Sequence, residues 1–196
     1  MPRTRTDELL LGEWACLGIL TQGPSHGFAI AARLAPTGDV GRVWSLARPL
    51  TYRALDQLAH RGYVEAVGEE RGRAGGNRTI LAITPAGRSS LRGWLAAPVL
   101  HLRDVRADLL LKLVICDLVA VDPLPLLVAQ REAFAPMVRT LDSASGRRGS
   151  GGDPVALWRY EFSRAVLRFL DRLITRRSKE EVPDRPPPPV SRRRSR

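Results

Sequence analysis

The sequence is short of lysine, cysteine and aromatic residues. Of its 31 basic side chains only Lys112 and Lys179 are lysines; the rest are arginines. Its two cysteines, Cys16 and Cys116, stand far apart in apolar contexts. Neither has a CxxC partner or a Cys/His neighbour, so they make no zinc site and no disulfide framework. Buried, reduced thiols are expected. There is also no nucleophile–base pair, no metal-ligand spacing and no GxxxxGK[ST] loop, which argues against an enzyme and against any cofactor. His26 and His101 have no partner acid or nucleophile in view, and Glu132 and Asp142 belong to no carboxylate pair. Long apolar runs are missing too. Residues 109–121, LLLKLVICDLVAV, are too short to span a bilayer and contain Lys112 and Asp117. Arg3 and Arg5 before LLLGEWACLGIL imitate a secretory signal, but Glu13 interrupts the run and no small-residue cleavage site follows. A cytoplasmic protein with no membrane partner is expected.

What the chain has in surplus is positive charge. Its 196 residues carry a net charge of +11, which favours a polyanionic partner such as nucleic acid. The surplus runs along the whole chain rather than sitting in one block. A 44% hydrophobic content at this length is enough for one large core or two small ones.

The periodicities give an order of elements. Leu10, Trp14, Leu17 and Leu20 recur at helical spacing, so residues 7–21 read as an amphipathic helix ended by Gly23-Pro24. Ser25 caps a second helix over 25–35. A third, over 47–61, places Leu50, Ala54, Leu55 and Leu58 on its apolar side, and Gly62 ends it. YVEAV (63–67) and TILAIT (79–84) read as two strands around a basic, glycine-rich loop. Thr84-Pro85 starts a fourth helix that runs to Ala97. Two further helices cover 103–120 and 123–145, a glycine-rich connector covers 143–154, and a last helix covers 155–177.

This is the order of a winged helix-turn-helix. The expected fold is mostly α with a small β-wing. A DNA-binding domain at 7–97 is followed by a C-terminal α-helical dimerisation domain at 98–177 and a disordered Arg/Pro-rich tail at 178–196.

The chemistry fits that order. Tyr52, Arg53, Asp56 and His60 lie opposite the apolar side of the third helix, with Thr51 near its start and Gln57 at the edge. Arg53 can read guanine, Gln57 adenine and Asp56 a cytosine amine; Tyr52 can reach a phosphate. The bland alternative is a solvated face with an Arg53–Asp56 pair, which would contribute little. In the wing stand Arg71, Arg73, Asn77 and Arg78, suited to phosphates or a minor groove. A hairpin tip with no ligand is the alternative there. On the last helix Trp158, Phe162, Ala165, Phe169 and Leu173 form one stripe, a seam either between subunits or within the chain. Arg164, Arg168, Arg172 and Arg176 form a ladder beside it, either solvated with Glu161 and Asp171 as local partners or set against DNA phosphate in a dimer.

Three segments together, EWACLGILTQGPSHGFAIAARL, TYRALDQLAHRGYVEA and GGNRTILAITPAGRSSL, resemble the PadR-like family of bacterial transcriptional regulators. The likeness covers about residues 8–92 and includes Trp44. Two departures stand out: Pro49-Leu50-Thr51 replaces the family's usual Gly-Thr-Val/Leu before the tyrosine, and Ile80-Leu81 replaces Tyr-Tyr in the second wing strand. The resemblance implies a sequence-specific homodimer, usually a repressor, on a palindromic operator of double-stranded DNA. Its C-terminal helices would dimerise. Ser25, His26 and the wing would hold phosphates. A small-molecule effector fits the same reading; Trp94 and Trp158 are the aromatic surfaces to watch, with a role in the core as the first expectation for both. The rival reading keeps the fold but uses it as a protein-interaction module without specific DNA readout.

Overall fold

Helix α1 (Leu11–Leu20) is followed by a two-residue strand β1 (Ser25–His26), then α2 (Gly27–Arg33) and α3 (Arg48–His60). Strands β2 (Val64–Arg71) and β3 (Asn77–Ile83) form the wing, and α4 (Pro85–Ala96) follows it. A 3₁₀ turn (Leu102–Asp104) and a π-helical stretch (Val105–Leu109) lead into α5 (Leu110–Leu118), with α6 (Leu124–Arg147) and α7 (Pro154–Glu180) beyond. This computed structural model describes residues 9–71, 76–147 and 153–180. The fold is mostly helical with a small antiparallel sheet, a winged helix followed by C-terminal helices.

Several local expectations hold for the physical reasons given. Thr84 caps α4 by accepting the Gly87 N–H at 3.1 Å, with Pro85 in the first turn. Gly62 ends α3 at φ +70°, a value glycine adopts without a Cβ clash.

Others are corrected. The sheet has three strands in the order β1-β3-β2, because Ser25 and His26 pair with Leu81 and Ile80. Ser25 is therefore in a strand and does not cap α2. The cap is His26, whose Nδ1 accepts the Ala29 N–H at 3.0 Å. Helix α1 is not one-sided. Every residue from Gly12 to Leu20 is buried, while Leu10 is 72% exposed. The reason is that α3, α4, β3 and α5 all pack against it. In α3 the core stripe is Thr51, Ala54, Leu55 and Leu58, and Leu50 faces out. Helix α6 continues through 143–147, where a connector was expected, and α7 runs past 177 to Glu180. Residues 148–152, within that connector, and 181–196, within the expected tail, lie outside the described residues.

Two cores result. The first joins α1–α4 and the sheet to Leu111, Ile115 and Cys116 of α5. An expected boundary at 97/98 thus leaves α5 packed into the first core. The second gathers Val99, Val105 and Leu109 with Leu126, Leu127 and Phe134 of α6 and Val166 and Leu170 of α7. Between the cores the chain crosses at Ala97–Val99. Its polar backbone groups are met by two buried side chains. Lys112 Nζ donates to the Ala97 carbonyl at 2.6 Å. Gln130 accepts the Val99 N–H at 2.7 Å and donates to the Val99 carbonyl at 3.0 Å. Above them Trp94 stacks on Trp14, centroids 4.9 Å apart, and Lys112 Nζ lies 4.8 Å from the Trp94 ring centre.

Both cysteines are buried and free. Burial pushes the Cys16 thiol up to about 12, with the Glu13 charge adding to it. Burial likewise raises Cys116 to about 11, helped by Asp117 and Asp122. Among the described residues no helix is long and apolar enough to cross a membrane.

Two expectations can be measured. A thiol reagent at pH 8 should label neither cysteine in the native chain and both after unfolding, because inaccessible, protonated thiols do not attack. Gln130→Leu strands one N–H and one C=O in the core and should cost about 2–6 kcal/mol in urea unfolding.

Candidate nucleic-acid interface

The exposed side of α3 is built by its buried side. With Thr51, Ala54, Leu55 and Leu58 held in the core, Tyr52, Arg53, Asp56, Gln57 and His60 project outward together. Arg53 and Asp56, both exposed, form no ion pair with each other, so the pair of the alternative reading is absent. Thr51 does not join the group. It is 0% exposed, and its hydroxyl donates to the Ala47 carbonyl at 3.3 Å, so the placement of Thr51 among the outward contacts is corrected. Two residues with no signal of their own in the sequence take part instead: Leu50, 50% exposed, and Arg48, exposed in the first turn. Their position follows from where α3 begins, which the missing Gly-Thr step obscures.

Tyr52 is fixed by a close approach. A Cβ on Gly27 would sit 2.6 Å from Tyr52 Cε1, so only glycine lets this ring lie against the start of α2. That contact sets how α3 leans on α2.

Ser25 and His26 are both half-buried on β1, beside the wing. Because His26 Nδ1 accepts from Ala29, the neutral ring carries its proton on Nε2. Nε2 is 4.0 Å from a Glu70 carboxylate oxygen and 3.4 Å from an Arg78 nitrogen. The wing ladder pairs Arg71 with Asn77 and Glu70 with Arg78, and slips by one residue at Val67. Asn77 donates to Glu69 at 2.8 Å, so one acidic side chain is occupied in holding the hairpin. Arg73 lies outside the described residues. The aromatic ring of Phe28, 43% exposed, has Arg48 Cζ 4.8 Å and Arg78 Cζ 5.2 Å from its centre. The glycine-rich turn and the basic count pointed to the wing, but no spacing rule joins residues 28, 48 and 78.

On α7 the stripe divides. Val166 and Leu170 face the second core, one position off the expected line. Trp158 is 65% exposed and stacks on Phe162, centroids 5.5 Å apart. Ala165 is exposed, and Phe162, Phe169 and Leu173 are half-buried. The four ladder arginines are exposed, but Asp171 pairs with Arg131 of α6 instead of with them. Trp94, by contrast, is committed to the stack with Trp14. A cavity of about 280 Å³ lies between α5, α6 and α7, lined by Leu113, Leu127, Leu173 and Arg176, with an Arg177–Asp117 pair at 2.7 Å on its wall. Among the described residues no cluster of His, Cys, Asp and Glu could hold a metal ion.

Residues 16–93 match the sequence profile of the transcriptional regulator PadR-like family. No curated protein matches the chain in sequence. Similar solved structures include Bacillus subtilis PadR in complex with operator DNA, at 17% identity, covering 84% of this chain and 97% of that one with a TM-score of 0.43. The Vibrio cholerae virulence activator AphA is 21% identical, over 87% and 99% of the two chains, with a TM-score of 0.39. The protein smu.1604c of Streptococcus mutans is 16% identical, over 85% and 99%, with a TM-score of 0.40. Over residues 16–93, about two fifths of its length, the chain is thus similar to the PadR-like family of transcriptional regulators.

Proposed function

We propose that the chain is a sequence-specific DNA-binding repressor that works as a homodimer on a palindromic operator. The observation that carries this reading is the outward face of α3, where Tyr52, Arg53, Asp56, Gln57 and His60 stand together beside a wing that carries Arg71 and Arg78. In a major groove Arg53 would pair with guanine O6 and N7, Gln57 with adenine, and Asp56 with a cytosine amine. Leu50 would meet a thymine methyl. Ser25, His26, Arg73, Asn77 and Arg78 would sit along the backbone and fix the register.

Dimerisation is supported by the stripe on α7. Trp158 and Ala165 are exposed, and an aromatic pair with one ring in water is poorly used unless a second surface covers it. A two-fold pairing of α7 helices would place two α3 helices on one side of the duplex, about one turn apart. A small-molecule effector would act by shifting α5–α7, since that moves the spacing of the two reading helices without touching them.

Duplex selected by the protein from a random pool should bind tightly at about 0.15 M salt and resist scrambled competitor. Arg53→Ala should cost about 1–3 kcal/mol and relax the preference at one base position. Gly27→Ala should also weaken specific binding by displacing Tyr52, with thermal unfolding run as the control. Trp158→Ala/Phe162→Ala should shift the chain toward monomer in sedimentation and weaken binding to a palindrome more than to a half-site. Wild-type protein that loses its DNA to scrambled competitor would instead favour a protein-interaction role.

A further inference from the structure

Phe28 is placed where a large apolar ring gains little. It stands at the second residue of α2, 43% exposed, outside both cores. What surrounds it is charge. Arg48 reaches it from the first turn of α3 and Arg78 from β3, with guanidinium carbons 4.8 and 5.2 Å from the ring centre. The His26 ring stands 6.3 Å away, tilted by 47°. Two like charges gathered on one ring repel each other. Neither arginine has an ion-paired carboxylate among the described residues; Glu70, the cross-strand partner of Arg78, lies instead 4.0 Å from His26 Nε2. The face of an aromatic ring attracts a guanidinium and holds it flat. A guanidinium held by its face keeps in-plane N–H groups available for an oxyanion, though Arg78 Nη1 also lies 3.4 Å from His26 Nε2.

We propose that Phe28, Arg48 and Arg78 form a phosphodiester clamp for the DNA strand that passes between the recognition helix and the wing. Arg48 and Arg78 donate to phosphate oxygens. Phe28 is a positioning residue: it orders both guanidinium groups before DNA arrives, and so reduces the entropy lost when they bind. The clamp rests on the DNA-binding reading, to which it adds two residues, Phe28 and Arg48, and a role for the exposed ring. It spans three elements, so it also senses the angle between α3 and the wing.

The test uses the full chain and a duplex selected from a random pool, followed by fluorescence anisotropy across a salt series. Phe28→Leu keeps bulk and every charge but removes the ring. It should weaken binding about tenfold with the slope of log affinity against log salt unchanged. Phe28→Tyr should restore binding to within about twofold. Arg48→Ala/Arg78→Ala should weaken binding and flatten the salt slope by about 2, because two phosphates then keep their counterions. In that background Phe28→Leu should cost nothing further, since the ring acts only through the two arginines. Arg48→Lys/Arg78→Lys keeps the charge and loses the stacking; it should reproduce the effect of Phe28→Leu and remains informative if the Leu variant unfolds.

A silent Phe28→Leu overturns the clamp. So does a tenfold loss that persists in the double-alanine background, because the ring would then act by packing or by direct contact. Wild-type binding that survives competitor while these variants behave as wild type removes the clamp and leaves the regulator reading in place. Wild-type protein that holds no duplex removes both.

Discussion

The arrangement depends on how the chain passes from one core to the other. At Ala97–Val99 the backbone leaves α4 and enters a region with too little water to satisfy it. A buried peptide group without a partner costs about as much as a lost hydrogen bond or more. Here Lys112 and Gln130 supply the partners, one from α5 and one from α6. The same lysine lies on the Trp94 ring, and Trp94 stacks on Trp14 of the central helix. A single polar crossing therefore ties α1, α4, α5 and α6 together. The winged-helix half cannot tilt on the C-terminal helices without breaking buried hydrogen bonds.

That rigidity matters because the outward face is assembled from pieces. The polar side of α3 is set by its core stripe, the lean of α3 on α2 by the Gly27–Tyr52 contact, and the start of α2 by the His26 cap. Strand β1 then joins this corner to the wing through Ser25 and His26. Motion of the α7 stripe can reach α3 through α6, α4 and α1, or through α5 and α1. If two chains pair through α7, the distance between their reading helices is set by the same packing that makes each half stable. Coupling between a C-terminal effector and operator affinity would follow from that continuity, with no separate relay.

Much of this was legible in the sequence. The order helix, helix, helix, strand, strand, helix follows from spacing, and Thr84-Pro85 and Gly62 behave as their local chemistry demands. The polar side of α3 was also readable, because Ala54, Leu55 and Leu58, three of its four buried residues, were legible and fix the opposite face. What escaped was set by tertiary contacts. Strand β1 is two residues long and has no pattern of its own. Thr51 and Leu50 exchange their expected places because the first turn of α3 meets the core at a hydroxyl-bearing residue whose polar atom is satisfied by Ala47. Lys112 and Gln130 are polar residues in apolar helices, and only the position of the crossing explains them. The Phe28 cluster joins residues 20 and 30 positions apart, which no periodicity connects.

The measurement that tests the central claim most directly is hydroxyl-radical footprinting of the full chain on its selected duplex. It reads which sugars are covered without assuming which side chains touch them. The account predicts two protected windows on one face of the duplex, with centres about one helical turn apart and related by two-fold symmetry. Each should be flanked by a protected stretch of backbone where the wing lies. A single window, or diffuse protection that vanishes with moderate salt, would contradict a dimer that reads two half-sites.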